Sequence, residues 1–113
     1  MKIINRVTDE DYVQWVEHFV ENVINHNDIE CEEVIIDDIE YSERIMIIID
    51  GEEYDIRTWN FHPIGRDKNG EVCAEAVRYT LFKMIWEENG NGHGEEVCNG
   101  TEAICWNNEL IKC

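Results

Sequence analysis

The chain has 113 residues, 26 of them acidic and 9 basic, for a formal net charge of −17 at pH 7. Hydrophobic residues make up 43% of it, with four Trp, four Tyr and three Phe, so the charge does not come from a disordered acidic tail. The length suits one domain over 1–113, and the charge argues against direct contact with nucleic acid or an anionic membrane.

The opening residues "MKIINRVTDED" contain no apolar h-region before acids appear, which predicts a cytosolic protein without a signal peptide. The first predicted element is a helix in "TDEDYVQWVEHFVENVINHN". Its apolar residues Tyr12, Val13, Trp15, Val16, Phe19, Val20, Val23 and Ile24 follow helical spacing. Thr8 is the expected N-cap, Asp9, Glu10 and Asp11 complement the positive end of the dipole, and Asn27 and Asp28 suit the exit.

The period then changes. "EEVIIDDIE" and "ERIMIIIDGEEYDIRTWNF" read as strands, with Asp50-Gly51 as a hairpin turn and Asn69-Gly70 as a second turn. The longest apolar run, "IMIII" at 45–49, is too short to span a bilayer. Residues 71–88, "EVCAEAVRYTLFKMIWEE", fit either a helix with Cys73, Val77, Leu81 and Met84 on one face or a long strand. The preceding Asn-Gly turn and the aromatic content favour the strand. "ENGNGHGEE" reads as a loop and "TEAICWNN" as a last strand. The expected fold class is therefore α+β: an N-terminal amphipathic helix packed on an antiparallel sheet of about five strands.

Twelve of the 28 residues from 28 to 55 are Asp or Glu. A solvated face is the plain reading of such a run, but a net charge of −17 points further, to a surface that attracts a basic partner and imitates the phosphates of DNA. The candidate partner-binding residues are Glu30, Glu32, Glu33, Asp37, Asp38, Glu40, Glu43, Asp50, Glu52 and Glu53, joined in one broad field by Glu10, Glu17 and Glu21 of the helix. None of these carboxylates follows the spacing of a calcium loop.

Catalytic motifs are missing from the sequence. It has no nucleophile elbow and no Walker lysine, and its single serine, Ser42, lies in the acidic turn "EYSER". The expected protein is not an enzyme.

Five cysteines in a cytosolic chain read as thiols or metal ligands before disulfides. His93, Cys98, Cys105 and Cys113 form a candidate structural zinc set of three thiolates and one imidazole, with the glycines of "GNGHGEEVCNG" supplying the flexibility to fold it together. Cys73 could replace Cys113, and His62 could replace His93. Buried core thiols are the alternative, which Cys105 between Ile104 and Trp106 suits well. His18 and His26 could share a helix face, and Cys31 reads as a bystander.

In size, charge, the acidic stretch at 28–55 and the Cys/His-rich segment at 93–113, the chain resembles the phage-encoded type II-A anti-CRISPR proteins. The resemblance implies an inhibitor that blocks target-DNA loading by an RNA-guided CRISPR effector nuclease in the host bacterial cytoplasm, and a zinc-containing member of that group would match the Cys/His set. It covers the general character of the chain, and no residue carries over by position. The uracil-DNA glycosylase inhibitors are similar to it in the same way, and an anti-restriction protein is a related alternative. The rival from another class is a small structural module whose charge serves solubility alone.

Overall fold

The computed structural model describes residues 1–41 and 43–105. Its elements are β1 (Lys2–Asn5), α1 (Val13–His26), β2 (Glu33–Glu40), β3 (Arg44–Ile49), β4 (Glu52–Arg66), β5 (Val72–Trp86) and β6 (Gly92–Cys105). The strands form one six-stranded sheet in chain order. β1 and β2 are parallel, and each later pair of neighbours is antiparallel. A parallel pair needs a crossover, and α1 supplies it.

The α+β class stands, with two corrections. The helix is not N-terminal, because β1 precedes it, and the sheet is not wholly antiparallel, because β1 and β2 are parallel; its six strands are close to the five or so expected. "KIIN" is too short to show a period, and its pairing with β2 depends on a helix lying between them in sequence.

Helix α1 forms where expected and buries Trp15, Val16, Phe19, Val20, Val23 and Ile24. Its start is later than predicted. Thr8 does not cap it; the cap position is Tyr12, which makes no side-chain capping bond. Residues 9–12 instead form a turn, in which the Asp9 carbonyl accepts the amides of Tyr12 and Val13 at 3.0 and 2.8 Å. The exit is as read: Asn27 Nδ2 donates to the Val23 carbonyl at 2.8 Å and to the Tyr79 hydroxyl at 2.7 Å. His26 pairs with Glu102 and ties the end of the helix to β6.

The helix lies on one face of the sheet. Val34, Ile36, Ile45, Ile47, Ile56, Val77, Leu81 and Ile104 meet it there in one core. Phe19 is fully buried at its centre, edge-on to Trp15 and Tyr79 at centroid distances of 6.0 and 6.1 Å.

Of residues 71–88, Val72–Trp86 form a strand and no helix. β5 puts Val77, Tyr79 and Leu81 in the core, while Thr80, Phe82 and Met84 alternate to the other face. The Asp50-Gly51 turn takes the positive φ pair, 47° and 84°, that a two-residue hairpin needs, and so fixes the β3–β4 register. Pro63 sits in β4 beyond Arg57, the last β4 residue paired with β3, beside a register shift in a stretch that pairs with β5 alone, the kind of edge position that tolerates proline.

The stretch read as the loop "ENGNGHGEE" is mostly strand. Only 87–91 turns, and β6 begins at Gly92. Its glycines serve close approach. A Cβ on Gly92 would stand 2.6 Å from the Trp86 ring, and one on Gly94 would stand 3.1 Å from the Phe82 Cβ. Gly92 makes room for Trp86 directly opposite it, and Gly94, opposite Met84, makes room for the diagonal Phe82.

Candidate functional site

Three members of the predicted zinc set, His93, Cys98 and Cys105, are not brought together. His93, Cys98 and Cys105 all lie on β6. At a rise of about 3.3 Å per residue, His93 and Cys98 are about 16 Å apart and Cys98 and Cys105 about 23 Å apart. Zinc requires ligand atoms about 2.0–2.3 Å from one ion, so these three side chains cannot share it. Cys113 lies outside the described residues.

The individual positions agree with that geometry. His93 is exposed between Glu87 at 3.6 Å and Glu95 at 3.7 Å. Cys98 is half-buried against the core, and burial raises its thiol above the ordinary value. Cys73 and Cys105 are buried on neighbouring strands, and His62 is exposed on β4. Cys31 packs at the core margin with its thiol 3.5 Å from the Met1 sulfur. Among the described residues, no group of three or more His, Cys, Asp or Glu side chains is placed to hold a metal ion.

The acidic candidates are where the sequence put them with respect to solvent. Glu30, Glu32, Asp37, Asp38, Glu40, Glu43, Asp50, Glu52 and Glu53 are exposed, and Glu33 is half-buried. They are divided between the two faces of the sheet, with Glu52 in register with Ile49 on the helix side. Asp38, Glu40 and Glu53 lie opposite Met46, Arg44 and Ile48 on the face turned away from α1. Glu10, Glu17 and Glu21 belong to the helix side.

Several of the ten also have partners within the chain. Asp37 pairs with Arg6 at 3.0 Å, and Glu40 with Arg44 at 3.6 Å. Asp50 accepts the amides of Glu32 and Glu33 at 3.0 and 2.9 Å, closing the end of β2. Glu52 bonds Lys83 at 2.9 Å and raises its ammonium above the usual range.

The uncovered face of the sheet holds a feature that the acidic run concealed. Arg44 and Arg57 stand directly opposite each other on β3 and β4, an unfavourable cross-strand pair on its own. Asp55, only 3% exposed, resolves the conflict. Its Oδ2 accepts Arg44 Nε at 3.0 Å and lies 2.9 Å from Arg44 Nη2 and 3.6 Å from Arg57 Nη2. Among the described residues it is the only acidic one that is fully buried.

Around this triad runs a groove of about 790 Å³, lined by Glu40, Tyr41, Glu43, Trp59, Phe82 and Met84 among others. A smaller hollow of about 200 Å³ adjoins it and brings in Met46, Ile48, Glu53 and Trp86. Trp59 and Trp86 are 44% and 60% exposed. The Trp86 indole N–H donates to Glu53 at 2.9 Å, which fixes the ring over Gly92. A signal for this site was present in the sequence. Counting outward from the Asp50-Gly51 turn places Asp55 and Arg57 on the same face as Arg44.

Compared with protein-family models, curated proteins and solved structures, the chain matches none. Among the described residues no helix is long and apolar enough to cross a membrane.

Proposed function

We propose that the protein is a non-catalytic inhibitory binding protein that engages a basic, nucleic-acid-handling protein through carboxylates. The reading is supported above all by one observation: of the acidic residues described, every one except Asp55 reaches solvent, in a chain of net charge −17. Such a surface repels nucleic acid and accelerates encounter with a positive protein. The partner to test first is a type II CRISPR effector nuclease, because of the resemblance in size and charge. Its nucleic-acid channels and motif-reading arginines present the complementary sign. A uracil-DNA glycosylase or a restriction enzyme offers the same chemistry.

The test is binding to a purified, guide-loaded type II effector at two salt concentrations. Affinity should fall steeply between about 0.1 and 0.5 M salt, as the screening length shortens from about 10 to about 4 Å. The triple reversal D37K/D38K/E40K should weaken binding at least about tenfold, or about 1.4 kcal/mol, while the domain stays folded. Binding that ignores both changes would remove the electrostatic reading. Failure to bind this effector, with binding to a glycosylase or restriction enzyme, would move the target and keep the class.

A further inference from the structure

We infer that the sheet face turned away from α1 is a docking surface for a basic segment of a partner protein, with Trp59 and Trp86 as its anchors. This deepens the reading above and rests on it for the sign of the partner's charge.

The first argument is the apolar content of the face. β3 reads Arg44-Ile45-Met46-Ile47-Ile48-Ile49, and an apolar run of this kind belongs to strands covered on both faces. Ile45, Ile47 and Ile49 are buried under the helix, whereas Met46 and Ile48 stay half-buried on the other side. Phe82 and Met84 on β5 share that state. The described residues supply one helix, and it covers only the first face.

The second argument is composition. The grooves gather Trp59, Trp86, Tyr41, Met46, Met84 and Arg57, and aromatic residues, Met and Arg are the types enriched at protein interfaces. Preorganisation is the third. Gly92 and Gly94 seat Trp86 and Phe82, Glu53 holds the Trp86 indole, and Asp55 locks Arg44. Side chains already held in place lose little freedom on binding.

The charge pattern selects the occupant. Asp55 and Glu40 together balance Arg44 and Arg57 at the floor, so the centre suits an apolar side chain. Beyond that balanced floor, exposed Glu43 lines the groove, Glu96 lies in register with Phe82, and Glu53 borders the smaller hollow. The complement is an apolar or aromatic side chain flanked by Lys or Arg, with indole faces available to a guanidinium. A second copy of this chain has the wrong net charge.

The test selects random peptides of about 16 residues on the whole protein by display, then measures the winners against wild type, W59A, W86A and E43Q/E96Q. The expected winners combine Lys or Arg with an apolar residue. They should weaken at least tenfold on W59A and on W86A, and several-fold on E43Q/E96Q, with the melting temperature of each variant confirming that it is folded. Basic peptides that bind the tryptophan variants as well as wild type would overturn this surface and leave the basic-partner reading intact. Winners that depend on the tryptophans but lack basic residues would overturn the occupant and the reading together. Recovery of no binding peptide overturns the proposal. So does a dimer in sedimentation equilibrium that W59A dissociates, since it would make the occupant a second copy.

Discussion

On β3, Ile45, Ile47 and Ile49 are buried beneath α1, while Met46 and Ile48, between them in sequence, remain half-exposed on the other side of the same strand. The neighbouring strands repeat the difference. Ile56 and Leu81 face the helix fully buried, and Arg57 and Phe82 face away from it at a groove. Alternation thus divides one sheet into a side that holds the fold together and a side that keeps apolar and aromatic groups within reach of solvent. Carboxylates occur on both sides, so charge alone does not mark the site. What distinguishes the open side is the combination of ordered aromatic residues, a neutralised arginine pair and a carboxylate border.

The covered side should yield the largest effects on stability. Phe19→Ala removes a fully buried ring from between Trp15 and Tyr79, and urea unfolding should show a loss of about 3–5 kcal/mol. A near-neutral result would mean that α1 is not the lid of the core. Asp55→Asn is the sharpest stability test of the open side. It leaves Arg44 and Arg57 facing each other without their carboxylate. Breaking a fully buried pair costs about 3–5 kcal/mol, and the partial exposure of both arginines reduces that to about 2 kcal/mol.

Gly100→Ala should come next. Its Cβ would stand 2.9 Å from the Tyr79 hydroxyl, which Asn27 holds in place, so overpacking should cost about 1–3 kcal/mol. Full stability in this variant would mean that Tyr79 yields easily and that the link from helix end to sheet is loose.

The smallest effect is on pH dependence. Burial raises the Cys98 thiol above its ordinary 9.0 and the Tyr79 hydroxyl above its ordinary 10.0. Each group then keeps its proton longer in the folded state than in the unfolded one. Their contribution is fully present below those ordinary values and is lost as pH rises through the higher folded ones. Thermal melts should therefore decline first above about pH 9, and Cys98→Ser should reduce that first part of the decline, to which Cys31, also raised by burial, contributes the rest. An unchanged alkaline profile in the variant would place Cys98 in a more aqueous setting than its contacts indicate.

The helix was legible because six buried residues repeat at its period, and the β3–β4 hairpin because Asp50-Gly51 specifies both turn and register. β1 was not, since four residues carry no period and its partner lies beyond the helix. The separation of His93, Cys98 and Cys105 has an instructive reason. Gly92 and Gly94 suggested a flexible loop, whereas they are strand positions cleared for Trp86 and Phe82, and an extended backbone separates His93 from the cysteines. Exposure of the acidic candidates followed from the cost of burying charge. Their division between two faces, and the one exception at Asp55, emerged only with strand register.

The division of labour between the two faces is tested most directly by comparing the double variant W59A/W86A with Phe19→Ala in urea unfolding and, in parallel, in binding to the selected basic peptide. Both tryptophans are substantially exposed, so the double variant should lose no more than about 1 kcal/mol of stability while its peptide affinity falls at least about tenfold. A loss of stability comparable to that of Phe19→Ala, or peptide binding unchanged from wild type, would contradict the account.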